Sequence, residues 1–453
     1  MQPRWHGEPL GFWPQTKEKD QMRTNLIKQG DEHLRYEIRE IVEIANEIVK
    51  MGVPMIWENI GDPVAKGERI PNWMKEVVGE AVKDDRVYAY SPTKGDLAAR
   101  RFVIDRFSHT DICSEEDVIF FNGLGDAINK LFSTLPANAR VIGPNPTYPS
   151  HATAEAIHHG GDHITYPLQL DQGGRIDLVS LEATVKSDQS IVGILVINPN
   201  NPLGVAHPRA DLVEVVRIAR ENDCFLLFDE IYQHLLFDES KIVRLSEIVG
   251  KVPAISMKGV SKEIPWPGSR CGWIEIYNAD QDENFRGYIH TIVVSKMLEV
   301  CSTTLPQIVF PRILMHPEFP AFLQSRLDKY RRRLETALAI FDGCDVLNVV
   351  VPDGVFYLTV TINTASHPNV EKLTARNDDV RMYLDMLESK SVLRTDKLFA
   401  YEMLGSEGVC IVPLSGFSSP VDGFRMTLLE EDDALFEETC RRIRRGAEAF
   451  FRH

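Results

Sequence analysis

The chain has few features of a membrane, secreted or nucleic-acid-binding protein. Its longest wholly apolar strand-like run, residues 191–197, is far too short to cross a bilayer. Residues 1–13 are broken by Pro3 and Pro9 and hold no hydrophobic stretch of a secretory signal. The seven cysteines are scattered, odd in number and without a CxxC pair. That pattern points to free thiols in a reducing, cytoplasmic setting. Positive charge is in deficit: 50 Lys and Arg against 66 Asp and Glu leave a net charge of −16. Such a surface repels phosphate backbones and acidic membranes, so neither nucleic acid nor membrane is expected as a partner. No internal repeat and no GxGxxG spacing occur. His158, His159 and His163 lie close together, but Gly160-Gly161 between them reads as a helix end and turn, and no metal site is expected.

What is present is an ordinary globular balance, 43% apolar and 26% charged, over 453 residues, enough for two or three domains. Short apolar runs at 141–143, 191–197, 224–228 and 254–257 alternate with helical patterns such as 210–221, where Leu212, Val215, Val216 and Ile218 form one stripe. This is the signature of a mostly parallel α/β sheet flanked by helices. After about residue 319 the pattern changes to a long amphipathic helix, 322–341, then strand candidates at 354–362, 408–413 and 424–428 and a closing helix. The reading is a large α/β domain, 76–320, and a smaller α+β domain built from residues 36–75 and 321–453, with an N-terminal arm over 1–35.

Four segments carry chemistry. Asn198-Pro-Asn-Asn-Pro-Leu-Gly204 follows directly on the strand ending at Ile197, the carboxyl end where open α/β sheets bind ligands; alone it is equally a plain turn. Asp229, in Phe228-Asp-Glu-Ile-Tyr232, also ends an apolar strand and needs a partner or serves as a helix cap. Lys262, in Gly259-Val-Ser-Lys262, lies between a strand and the Pro/Gly loop that leads to Arg270. Most lysines are solvated surface groups, but one in a dry pocket beside a cation can form Schiff bases. Finally, Gly123-Leu124-Gly125 opens a helix pattern, and small residues there expose N–H groups suited to a phosphate.

In this order the four segments resemble the class I/II aminotransferases of the aspartate aminotransferase fold, from about Tyr36 to the C-terminus. The resemblance implies pyridoxal 5'-phosphate as cofactor, with Lys262 as its Schiff-base lysine. Asp229 resembles the partner of the pyridine nitrogen, and Asn201 and Tyr232 the pair at the phenolic oxygen. Tyr148 falls where an aromatic stacks on the ring. Gly123, Leu124, Gly125, Ser261 and Arg270 resemble a phosphate seat, completed by Tyr90 of a second subunit, which implies a homodimer with shared sites. Arg425, Gly61 and Asn201 are similar to groups around the substrate α-carboxylate. Tyr36-Glu-Ile-Arg39 looks like the N-terminal substrate segment of bacterial alanine aminotransferases.

One departure is Gly259, where aspartate-type members have serine. Those members also use an arginine late in the large domain for the second carboxylate, and this chain has none between Arg286 and Arg312. Small-molecule amino acids and 2-oxo acids are therefore the expected partners, alanine first, with glutamate and 2-oxoglutarate as the other pair. A β-lyase or decarboxylase on the same fold would use the same Lys262 and Asp229. An effector-binding regulator is a further alternative, disfavoured because residues 1–35 hold no helix-turn-helix pattern.

Overall fold

The computed structural model describes residues 37–108 and 112–451. Tyr36 and the arm over 1–35 lie outside the described residues. The first strand, β1 (Ile56–Trp57), is short. The next eight are β2 (Val118–Phe121), β3 (Arg140–Asn145), β4 (Thr165–Gln169), β5 (Arg175–Ile176), β6 (Ile191–Ile197), β7 (Phe225–Asp229), β8 (Ala254–Gly259) and β9 (Gly272–Tyr277). They form one sheet in the order β2-β9-β8-β7-β6-β3-β4-β5. The pairs β3–β4, β3–β6, β6–β7 and β7–β8 are parallel, while β9 and β5 run against their neighbours.

Alternation along these strands fills two apolar layers. Phe120, Ile194, Val196, Leu226 and Phe228 join one core cluster. Their neighbours Phe121, Leu195, Ile197 and Leu227 join a second on the opposite face. Because both faces are covered, the strands read as continuous apolar runs rather than alternating ones. The chain moves outward from β3 to β4 in one direction and from β6 through β7 to β8 in the other. The carboxyl ends of β3 and β6 therefore flank a topological switch point, where a crevice opens.

Beyond the large sheet, β10 (Leu347–Val350), β11 (Tyr357–Ile362), β12 (Val409–Cys410), β13 (Val412–Pro413) and β14 (Gly423–Thr427) complete the strands. An antiparallel sheet runs β10-β11-β14-β13, and β12 pairs in parallel with β1, tying the start of the chain to its end. Helices Glu37–Lys50, Thr395–Ser406 and Asp433–Phe450 pack with this smaller sheet around a third apolar cluster that includes Ile44, Leu404 and Ile443. The stretch expected as one strand over 408–413 is thus divided between two sheets. The strand expected from Gly354 starts at Tyr357, because Gly354 bridges to Leu236 instead. Helix Phe319–Phe341 joins the two bodies: Phe319 belongs to the large core, and Leu327, Tyr330, Leu334 and Phe341 to the small one.

An acidic run, 430–433, leads into the last helix. Asp432 caps the last helix through the N–H groups of Ala434 and Leu435, while Glu430 takes an ion pair from the nearly buried Lys66 at 3.0 Å. Among the described residues, no helix is long and apolar enough to cross a membrane, and no cluster of His, Cys, Asp and Glu could hold a metal.

Candidate active site

Lys262, Gly61, Asn201, Tyr232 and Arg425, singled out in the sequence, come together where strand ends meet the smaller sheet. Asp229 closes β7 and is 4% exposed. Its Oδ2 lies 3.0 Å from His151 Nε2, and its Oδ1 accepts from the Ile231 N–H. His151 sits in helix Pro149–His159, which Tyr148 N-caps just after β3. Asn201 is buried in the loop after β6, and its Oδ1 faces Arg425 Nη1 at 3.4 Å.

Lys262 lies three residues beyond β8 and is half-buried. Its Nζ donates to Gly61 O at 2.9 Å and lies 5.9 Å from the centre of the Tyr232 ring and 5.7 Å from that of Phe356. Ser261 beside it is also half-buried.

Arg425 comes from β14 and is 3% exposed. Nη2 donates to Asn59 O at 2.8 Å, and the guanidinium lies between Tyr357 (4.4 Å to the ring centre) and Phe417 (4.9 Å). Its Nε is a buried donor with no protein acceptor among the described residues. A buried cation holding spare donors is costly unless a ligand takes them up, and a planar fork suits a carboxylate. Gly61 is required by close approach: a Cβ there would stand 2.5 Å from the Tyr357 hydroxyl.

The Tyr357 hydroxyl lies 3.2 Å from that of Tyr232. Burial, then the Tyr357 neighbour, pushes the Tyr232 hydroxyl well above the ordinary tyrosine range. Burial acts the same way on Tyr357, but the cations of Lys262 and Arg425 outweigh it and hold that hydroxyl below its ordinary value. Of the two, Tyr232 holds its proton the more tightly.

At the other end of the crevice Gly123 adopts φ 82° and N-caps helix Leu124–Ser133. The first-turn N–H groups of Leu124 and Gly125 lack intrahelical carbonyls by geometry. The positive φ of Gly123 favours glycine, and a Cβ there would also crowd the Arg270 guanidinium. Arg270 itself is in the left-handed region, φ 51°, and donates to the carbonyls of Pro267 (3.2 Å) and Asn122 (3.4 Å), leaving its charge available to an anion. A helix N-terminus beside an exposed arginine, with a buried carboxylate at another strand end, fits a group carrying a phosphate and a basic ring nitrogen.

Tyr90 is not brought into this crevice by its own chain; it is 83% exposed. Two participants were not identified from sequence, His151 and Tyr357. His151 stands three residues beyond Tyr148, one helical turn away, a spacing that marks it as a neighbour of the same site. Nothing local marks Tyr357, which reaches the site from the smaller sheet.

This is an α/β fold with its ligand crevice at the switch point, the class to which comparison with known proteins also leads. Residues 55–443 match the model of aminotransferase class I and II, and the chain belongs to that family. An uncharacterised aminotransferase of Methanocaldococcus jannaschii is 43% identical over 419 residues, 92% of this chain and 96% of that protein. A tyrosine aminotransferase of Caenorhabditis elegans is 26% identical over 450 residues, 96% of this chain and 87% of the relative. The structure of an alanine aminotransferase from Pyrococcus furiosus superposes with TM-score 0.79 at 24% identity, covering 92% of this chain and 98% of that one. The protein is thus an enzyme of the transferase class with the aminotransferase fold.

Proposed function

We propose that the protein uses pyridoxal 5'-phosphate, held by Lys262, to move amino groups between an L-amino acid and a 2-oxo acid in a ping-pong cycle. Alanine is the favoured small partner, with glutamate and 2-oxoglutarate as the other pair. The observation that carries this reading is the Lys262 amine at Gly61 O, with Asn201, Tyr232 and the spare donors of Arg425 gathered around it.

When bound, the cofactor supplies the electron sink that makes a Cα proton acidic. The protein residues do the rest. Asp229, oriented by His151, stands ready to hold a proton on a ring nitrogen by placing negative charge beside it. Gly123, Leu124, Gly125, Ser261 and Arg270 would seat the phosphate, and Tyr148 would cover the ring. Asn201 and Tyr232 offer hydrogen-bond donors to the phenolic oxygen. Arg425 takes the substrate carboxylate with two parallel N–H groups, fixing which Cα bond faces Lys262. The Lys262 amine would be the group that takes the proton from the substrate Cα and passes it to the cofactor's aldehyde carbon, on the far side of the amino nitrogen.

The absence of arginine between Arg286 and Arg312 supports a neutral side chain in the substrate. Tyr357 and Phe417 add apolar walls beside Arg425. The proposal includes a cytoplasmic homodimer in which Tyr90 reaches the partner's phosphate seat.

The test is absorbance of the purified protein with added cofactor, followed by titration with L-alanine, L-glutamate, L-tyrosine and L-aspartate without oxo acid. A visible band that Lys262→Ala abolishes, and that alanine converts most efficiently, is expected. A colourless protein would remove Lys262 from its role, and a higher specificity constant for aspartate or tyrosine would overturn the alanine preference. Release of ammonia or carbon dioxide would move the function to a lyase or decarboxylase.

A further inference from the structure

Arg326 lies outside the crevice, yet it grips the backbone that carries Lys262. It is 2% exposed, on helix Phe319–Phe341 at the point where that helix passes from the large core to the small one. Its Nη1 donates to the carbonyl oxygens of Lys262 at 3.0 Å and Glu263 at 2.8 Å. Its Nε lies 2.7 Å from Glu68 Oε1, a close ion pair although the N–H is not aligned on that oxygen. The rings of Phe322 and Tyr330 each pack 5.7 Å from the guanidinium carbon.

Glu68 belongs to the segment that follows Gly61. Its N–H donates to Pro63 O at 2.9 Å, its Oε2 accepts from the Tyr330 hydroxyl at 3.3 Å, and Lys329 lies 3.5 Å from the same oxygen. The contacts close a circuit. Lys262 Nζ bonds Gly61 O, the turn over 61–68 leads to Glu68, Glu68 faces Arg326, and Arg326 returns to the Lys262 carbonyl. Both ends of the lysine, side chain and backbone, are tied to one turn through one arginine.

A lysine side chain has four rotatable bonds, so fixing its backbone alone leaves the amine free to wander. Fixing backbone and Gly61 together confines it. Resting on the amino-transfer reading of Lys262, we infer that Arg326 is a positioning residue: it couples the seating of the Gly61 turn to the placement of the Lys262 amine for proton transfer. A buried arginine serves here because its planar fork meets two carbonyls and a carboxylate at once, which lysine cannot do. Movement of the small body against the large one would pass through this contact to Lys262.

The experiment compares the wild type with Arg326→Met, Arg326→Lys and Glu68→Gln in two readouts. The first is single-turnover reaction of the cofactor-loaded enzyme with L-alanine and with α-deuterated L-alanine. Arg326→Met is expected to lower the rate on the order of tenfold to a hundredfold, as misplacement of a reacting group does. It should also enlarge the primary isotope effect, because proton transfer becomes more fully limiting. Arg326→Lys should recover part of the loss, and Glu68→Gln should show a smaller change of the same kind. The second readout is hydrogen exchange of the cofactor-free chain, where Arg326→Met should speed exchange over 58–68 and 259–265 together and leave β6 unchanged. An unchanged isotope effect, or faster exchange spread evenly over the fold, would overturn the inference. If Arg326→Met does not fold, the Arg326→Lys and Glu68→Gln results decide by the same criteria. Should the wild type itself fail to react with alanine or any other amino acid, the amino-transfer reading falls, while the exchange data still judge the circuit.

Discussion

Arg425 shows how a single side chain can be committed before any ligand arrives. Its guanidinium is stacked between Tyr357 and Phe417 and bonded to Asn59 O, so its orientation is set by the protein. Charged hydrogen bonds of this kind contribute about 1.5–3 kcal/mol. Arg425→Lys, which loses the paired donors, should therefore raise KM for the amino acid roughly tenfold to a hundredfold. Initial-rate kinetics at saturating oxo acid would check it. Asp396 gives a prediction of another sort. It is buried, with Ser415 N–H donating to its Oδ2 at 2.7 Å, and burial pushes its carboxyl from 3.8 up to about 6. The folded chain then keeps a proton that the unfolded chain releases between those two values. Stability consequently falls as pH rises through that window and stays lower above it. Asp396→Asn should stabilise the protein at pH 7 to 8, and the gain should shrink towards zero near pH 4. Urea denaturation across that range would show the convergence, and a gain independent of pH would contradict the cause given.

Strands β7, β8 and β9 carry a charge network beneath the site that apolar patterning does not announce. Lys258 is buried and ion-paired with Glu230 at 2.9 Å and Glu275 at 3.0 Å. Trp273 Nε1 and the Tyr277 hydroxyl donate to Glu275, and Ser256 donates to Glu230. Burial works against the Lys258 charge, but the two carboxylates outweigh it and hold the ammonium above its ordinary value. Glu230 directly follows Asp229, so the network anchors the strand end that presents the site carboxylate. Breaking a buried pair by removing one partner typically costs about 3–5 kcal/mol, because the other charges stay buried. Lys258→Met should lose stability of that order at pH 7, measured by denaturant titration, and recover part of it in acid as the carboxylates take up protons. Cys271, on the loop leading into β9, is 2% exposed, and burial pushes its thiol up, which fits a packing role.

At the scale of the whole molecule, the described residues leave an apolar face open beside the proposed phosphate seat. Tyr90 and Leu298 are 83% and 86% exposed, with Met297 and Val300 also exposed. The segments carrying them adjoin, since Thr304 Oγ1 donates to Ala89 O at 2.8 Å and Ser302 O accepts from Ser91. Exposed apolar groups gathered on one face mark an interaction surface, and a second copy is the occupant the proposed shared site requires. Mixing inactive Lys262→Ala and Tyr90→Ala subunits under exchange conditions should restore about a quarter of wild-type activity, because each hybrid dimer regains one intact site. No recovery despite subunit exchange would place Tyr90 outside the site.

The sequence by itself was enough for the α/β class and for the order of the chemical motifs. Strands buried on both faces must read as unbroken apolar runs, and strand-end residues such as Asp229, Asn201 and Lys262 follow those runs directly. Local rules also sufficed for Gly123 as a helix start, because an N-cap at positive φ favours glycine. Other features waited on tertiary structure. Gly61 and Arg425 are named from the resemblance, but their meeting with Tyr357 rests on the pairing of β1 with β12 and of β11 with β14, and Gly61 O there receives the Lys262 amine. His151 against Asp229, Arg326 against the Lys262 carbonyls, and Lys258 between two glutamates are likewise long-range pairings. The physical reason is one of range: hydrophobic periodicity and turn chemistry act over a few residues, whereas the partner of a buried charge is chosen by whichever element packs against it.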